Sequence, residues 1–129
     1  MDTSKNSAKI LLVEDDPILS KMYATKFELE GFTVVVAYDG EDGLKKATEE
    51  DYNLLLLDLM MPRLSGTELL TQLRQSEKGK TKPVIVITNL MDKEEQEKVK
   101  SLGVYQIMTK AETTPGEIVS VAKKALNLP

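Results

Sequence analysis

A chain of 129 residues with 41% hydrophobic and 29% charged side chains has the composition of one ordinary globular domain. At this length roughly two thirds of the unfolded surface is buried on folding, so no metal or disulfide is needed for a core. Cysteine and histidine are both absent, which excludes disulfide scaffolds, thiolate- or imidazole-ligated metals, serine–histidine and cysteine–histidine catalysis, and a phosphohistidine on this chain.

The first eight residues are polar and lack the apolar stretch of a secretory signal, and the longest apolar run is far below the ~20 residues that cross a bilayer. The expectation is a cytoplasmic protein without membrane insertion. KILLV (9 to 13) opens the pattern as a strand. Asp16 followed by Pro17 reads as N-cap and first residue of a helix with Leu19, Met22, Tyr23 and Phe27 at helical spacing, stopped at Gly31. FTVVVA (32 to 37), NLLLLD (53 to 58), PVIVIT (83 to 88) and VYQIMT (104 to 109) come next as strands. Helical spacing separates them, as in Leu69, Leu70 and Leu73. The fourth helix, from about Asp92 to Leu102, offers only Val99 and Leu102 as substantial apolar anchors and stops at Gly103. Thr114 and Pro115 repeat the cap signature before a last helix with Ile118, Val121, Ala122, Ala125 and Leu126. The net charge of −4 argues against a nucleic-acid partner, and the one basic cluster, KGKTK at 78 to 82, reads as a solvated loop.

Five strands alternating with five helices imply right-handed βαβ units and a doubly wound α/β fold with a five-stranded parallel sheet. The common strand order for such sheets, 2-1-3-4-5, is the one expected. These elements use up the chain, giving a single domain over 1–129 with a polar tail at 1–8 and a core at 9–127. Tyr105, Gln106 and Thr109 mark the fifth strand as an edge. The second strand reads as buried, and only the strand order puts it at the other edge.

Ligands of doubly wound sheets bind beyond the carboxyl ends of the strands, at the switch point between the first and third. Here the first strand ends in Glu14, Asp15 and Asp16, the third in Asp58 and the fourth in Thr88, and the fifth ends just before Lys110. Each residue alone has an ordinary reading, Asp16 as a helix cap above all. Converging carboxylates repel at neutral pH unless a cation sits between them or a pKa rises, and an oxygen-only set without histidine or cysteine suits Mg2+. Four strands ending in such groups match the needs of magnesium-assisted phosphoryl transfer.

The strings ILLVEDDP, LLLLDLMMPRLSG and VIVITN, with the lysine after the fifth strand, resemble response-regulator receiver domains of two-component signalling, in order and spacing over residues 9 to 127. The resemblance implies a flavodoxin-like fold of the stand-alone single-domain type. It implies that Asp58 is the phosphoacceptor, that Glu14, Asp15, Asp58 and the Met60 backbone carbonyl hold Mg2+, and that Thr88 and Lys110 bind the phosphoryl group. Pro62 and Gly66 match the loop after the phosphoacceptor. Thr88 is the switch hydroxyl, and Ile107 stands where the family often has an aromatic switch. The implied partners are a histidine kinase or phosphotransfer protein and a downstream protein target on the face of helix 4, strand 5 and helix 5, with the chain a monomer or weak dimer. Output is a change of surface, and enzymic activity is limited to self-catalysed phosphotransfer and slow autodephosphorylation. Met60 and Leu90 match the positions flanking the path of a hydrolytic water, and neither hydrogen-bonds one. The sequence departs from the family at Ala111, usually proline, and at Asn89, usually a smaller residue.

Other readings fit less well. A haloacid-dehalogenase-type phosphatase needs an acid where Met60 stands, and a nucleotide-binding loop ending in Gly79-Lys80-Thr81 would need a glycine at Arg74. A flavin binder would find an acidic loop where its phosphate must go. A receiver-shaped module that binds proteins without phosphorylation is the remaining alternative.

Overall fold

The computed structural model describes residues 8–89 and 92–129. Five strands, β1 (Lys9–Val13), β2 (Thr33–Ala37), β3 (Leu54–Leu57), β4 (Val84–Thr88) and β5 (Gln106–Thr109), form one parallel sheet in the order β2-β1-β3-β4-β5. Between and after them run α1 (Pro17–Leu29), α2 (Gly40–Glu49), α3 (Gly66–Gln75), α4 (Lys93–Ser101) and α5 (Pro115–Ala125). The doubly wound α/β expectation holds, with each of the last four strands starting one or two residues later than the apolar run suggests.

The side-chain period of two divides the strands between two cores. Ile10, Leu12, Leu54, Leu56, Ile85 and Ile87 face α1 and α5, where Phe27 and Phe32 meet edge to face at 5.2 Å. Leu11, Val13, Leu55, Leu57, Val84 and Val86 face the opposite layer with Leu69, Leu70, Leu73 and Val99. Apart from Lys9, half-buried at the start of β1, the central strands are buried, as parallel strands covered on both faces must be. β2 is not, because an edge strand is flanked on one side only: Val34, Val35 and Val36 are half-buried and Thr33 is exposed.

Helix starts obey the cap chemistry. Asp16 Oδ1 accepts from the N–H groups of Ile18 and Leu19, and Thr114 forms a capping box with Glu117. Ser65 with Glu68 makes a second box, one that the apolar periodicity of the chain does not single out. Gly31 and Gly103 end α1 and α4 with φ of +95° and +78°. Met22 departs from expectation: it is 43% exposed, because the buried stripe of α1 runs through Ser20, Tyr23 and Phe27, one position round the helix. The basic cluster at 78 to 82 is tied locally. Lys78 pairs with Asp51, Lys80 with Glu77, and Lys82 lies 4.9 Å from the centre of the Tyr52 ring.

Tyr52 offers a measurable handle on this layer. Its ring is buried and its hydroxyl donates to Ala47 O at 2.8 Å; burial pushes its pKa up to about 12, against a small lowering by Arg74. The unfolded chain ionises at the ordinary value near 10 while the folded one keeps its proton, so stability falls as pH rises between about 10 and 12, by roughly 2–3 kcal/mol. Tyr52→Phe should lose about 1 kcal/mol at neutral pH, from the hydrogen bond, and should make the alkaline slope in urea denaturation shallower, leaving the part due to Tyr23, whose pKa burial also raises.

Candidate phosphoryl-transfer site

β1 and β3 are neighbours in register, with Val13 opposite Leu57, so the next residue of each strand emerges at the same edge. Asp58 N donates to Val13 O at 3.0 Å and Glu14 N to Ala37 O at 3.0 Å, carrying the ladder one step past the assigned strands. Both carboxylates are thereby held by backbone rather than by a loop. Gly66 allows α3 to begin directly beside them: a Cβ there would lie 2.3 Å from Asp58 O. Across the sheet, Thr88 pairs with Thr109 at the ends of β4 and β5, which brings Lys110 over the same rim.

Lys110 Nζ lies 2.7 Å from Glu14 Oε1 and 3.0 Å from Asp58 Oδ2, bridging the two. Glu14 Oε2 accepts from Asp16 N at 3.1 Å, and Asp58 Oδ1 from Met60 N at 3.3 Å. Glu14 is 1% exposed and Asp58 4%. Burial pushes the Glu14 carboxyl above the ordinary carboxylate range, against the lowering effects of Lys110 and the Asp16 N–H. Burial also works against the charge on Lys110, but its hydrogen bonds to Glu14 and Asp58 outweigh that and hold the ammonium above its ordinary value.

Glu14, Asp15 and Asp58 each offer one carboxylate oxygen, and these atoms all lie within 4.8 Å of one another. Asp15 is exposed while the other two are buried, so the cluster opens to solvent on one side. One ammonium faces three carboxylates, and hard oxygen donors of this kind fit a small divalent cation. Thr88 fits the same chemistry: its Oγ1 is the one side-chain polar atom among the described residues that is buried without a hydrogen-bond partner, a costly arrangement.

The structure brings Glu14, Asp15, Asp58 and Lys110 together, with Thr88 at the end of β4 on the same edge of the sheet. Asp16 stands apart as the cap of α1. Met60 is 64% exposed at the rim, and Leu90 lies outside the described residues. Ile107 is half-buried and packs in the core that holds Val99, while Tyr105 is 49% exposed. The chain passes Ala111 without a cis bond, in a short 3-10 turn at Lys110–Glu112. What the strand ends did not reveal is that Lys110 bridges both buried carboxylates.

This constellation on this sheet defines a class. The chain belongs to the response regulator receiver domain family, whose model matches residues 10–123. Among curated proteins it is 43% identical over 84 residues to the response regulator ArlR of Staphylococcus saprophyticus, covering 65% of this chain and 37% of that protein. It is 40% identical over 79 residues to the uncharacterized transcriptional regulatory protein YkoG of Bacillus subtilis, covering 61% and 34%. The matches therefore span little more than a third of these relatives. Among solved structures, a CheY-like receiver domain protein of Methanospirillum hungatei superposes with a TM-score of 0.88 at 26% identity, over 95% of each chain. The receiver domain of a Pseudomonas aeruginosa sensor histidine kinase, described with a magnesium ion in its active site cleft, shares the fold with a TM-score of 0.84 at 23% identity, over 95% of this chain and 99% of that one. No helix among the described residues is long and apolar enough to cross a membrane.

Proposed function

We propose that the chain is a phosphorylation-activated signalling switch in which Asp58 accepts a phosphoryl group from a phosphohistidine on a histidine kinase or phosphotransfer protein. The observation that carries this reading is the buried Asp58 carboxylate, bracketed by Lys110 and two further acids, with the unsatisfied Thr88 hydroxyl buried at the same edge of the sheet. An Asp58 carboxylate oxygen attacks phosphorus, the bond from phosphorus to the donor imidazole breaks, and its electron pair leaves with the imidazole. The product is an acyl phosphate on Asp58. Lys110 neutralises one phosphoryl oxygen and Thr88 donates to another. Glu14, Asp15, Asp58 and the Met60 carbonyl would hold Mg2+, which would supply charge withdrawal from the phosphoryl oxygens. In the acyl phosphate, new charge and new acceptors appear beside Thr88, and drawing its hydroxyl inward moves the C-terminal end of β4. Thr88 and Ile107 are the switch residues, and the downstream protein binds the face of α4, β5 and α5. The switch works in the cytoplasm, as a monomer or weak dimer, without touching nucleic acid or membrane.

The direct test is labelling by acetyl phosphate with and without magnesium. Label should appear only with the metal. Asp15→Ala, which removes the exposed carboxylate, should weaken magnesium binding at least tenfold in an NMR titration and slow labelling in proportion. Equal labelling of Asp15→Ala at limiting magnesium would exclude that ligand.

The lifetime of the acyl phosphate depends on Met60, a thioether at the rim that cannot align a water. Met60→Asn should shorten the half-life of the phosphorylated protein by about three- to tenfold, about 0.7–1.4 kcal/mol in barrier. An unchanged half-life would mean that water reaches phosphorus by another side.

A further inference from the structure

α4 is held in opposite ways at its two ends. Val99 is its only fully buried side chain, and Leu102, at its C-cap, packs half-buried against the same core. Arg74, in the last turn of α3, restrains that end further. Its Nε donates to Leu102 O at 2.7 Å and its Nη2 to Gly103 O at 2.9 Å, while Nη1 donates to Gly79 O and Lys82 O at 2.8 Å each. The first two acceptors are carbonyls at the end of α4, which lack partners within the helix and lie at the negative end of its dipole. The other two belong to the segment leading into β4. One planar fork therefore joins α3, that segment and the end of α4, a task for which the rigid donor geometry of arginine is suited.

The other half of α4 has no such hold. Lys93 to Lys98 bury no side chain fully. Among the described residues their one side-chain hydrogen bond to another element runs from Thr67 Oγ1 to Glu95 Oε2, at 3.4 Å, the long limit for such a bond. The cleft beside it, about 410 Å³, is lined by Glu68 on α3 and by Asp92, Glu94, Glu95 and Lys98 on the other side. Lys98 is the one cation among four carboxylates, and among the described residues no ion pair crosses the cleft to draw the helices together.

We propose that α4 is a lever, clasped at its C-terminal end by Arg74 and released at its N-terminal half when the Thr67–Glu95 latch opens. The trigger rests on the function proposed above: α4 is the next helix after β4, so inward movement of Thr88 pulls on the unclasped end. Arg74 is a positioning residue that confines the movement to that end.

The chain contains no cysteine, so paired nitroxide labels can be placed at will. Glu41→Cys on α2 serves as the reference, combined with Lys93→Cys or Ser101→Cys at the two ends of α4; all three positions are exposed. Without any ligand, the 41–101 distance distribution should be narrower than the 41–93 distribution. Arg74→Met should broaden the 41–101 distribution to the width of the other, and Thr67→Val should broaden the 41–93 distribution alone. Beryllium fluoride with magnesium, its binding read independently by 19F NMR, should shift the 41–93 distance and leave 41–101 unmoved, whereas in Arg74→Met both should shift. Equal widths at the two ends, an unchanged 41–101 distribution in Arg74→Met, or an unmoved 41–93 distance with fluoride bound would each overturn the lever. Thr67→Val alters one long hydrogen bond and keeps the test decisive if Arg74→Met does not fold. Absence of fluoride binding would count against the phosphoacceptor reading, while the ligand-free widths would still judge the clasp.

Discussion

Asp58→Asn is expected to take no label from acetyl phosphate or from a phosphorylated kinase, and at the same time to be more stable than the parent in the absence of magnesium. The first effect is loss of the nucleophile. The second comes from the charge count at the rim: among the described residues Lys110 is the one cation paired with the cluster of Glu14, Asp15 and Asp58, and two of those carboxylates are buried. Removing one charge relieves repulsion that water does not screen there, by about 1 kcal/mol, or roughly 4 °C in a domain of this size. Magnesium should then stabilise the parent and leave the variant almost unaffected, because a cation that binds only the folded state raises its stability by mass action. Thermal melts with and without magnesium check both halves. An Asp58→Asn protein less stable than the parent would show that the carboxylate contributes more through its bonds to Lys110 and the Met60 N–H than it costs.

Lys110→Met should be the most destabilising single change at the site. It leaves Glu14 and Asp58 buried without a cation, and breaking a buried pair by removing one partner costs about 3–5 kcal/mol. The loss should depend on pH in a definite direction. Burial already raises the Glu14 carboxyl above its ordinary value of 4.5, and Lys110 is among the groups that restrain the rise. In the variant the folded state therefore holds a proton that the unfolded chain releases, so stability falls as pH rises above the ordinary value and through the folded one. Urea denaturation should find the variant closest to the parent near about pH 5 and furthest from it near about pH 8. A deficit independent of pH would assign the effect to lost packing of the lysine stem.

Much of this site can be read from the chain because of how parallel sheets are made. Apolar runs of strand length announce β1, β3 and β4, and the residue after each run emerges at one edge, so Glu14, Asp58 and Thr88 are placed together by topology before any contact is known. Lys110 joins them by the same rule. The weak docking of α4 is visible too, since Val99 and Leu102 are its only substantial apolar side chains. Three features are not legible. Val34, Val35 and Val36 look like any buried run, because edge position depends on the order of strands and not on composition. Met22 sits one position off the buried stripe of α1, an offset smaller than a pattern of four apolar residues resolves. Arg74 carries no sequence mark beyond being a cation in the last turn of α3, since its four acceptors are backbone carbonyls, which every residue has. Side chain to side chain pairings leave complementary residues in a sequence; side chain to backbone clasps do not.

The claim that everything else rests on is the identity of the phosphorylated atom. Borohydride reduces an acyl phosphate on aspartate to homoserine, so treating the phosphorylated protein with borohydride, digesting it and sequencing the peptides by mass spectrometry places the modification directly. Homoserine at position 58, dependent on both phosphodonor and magnesium, is the predicted result. Homoserine at position 15 or elsewhere, or no acyl phosphate at all under conditions in which magnesium binds, would contradict it.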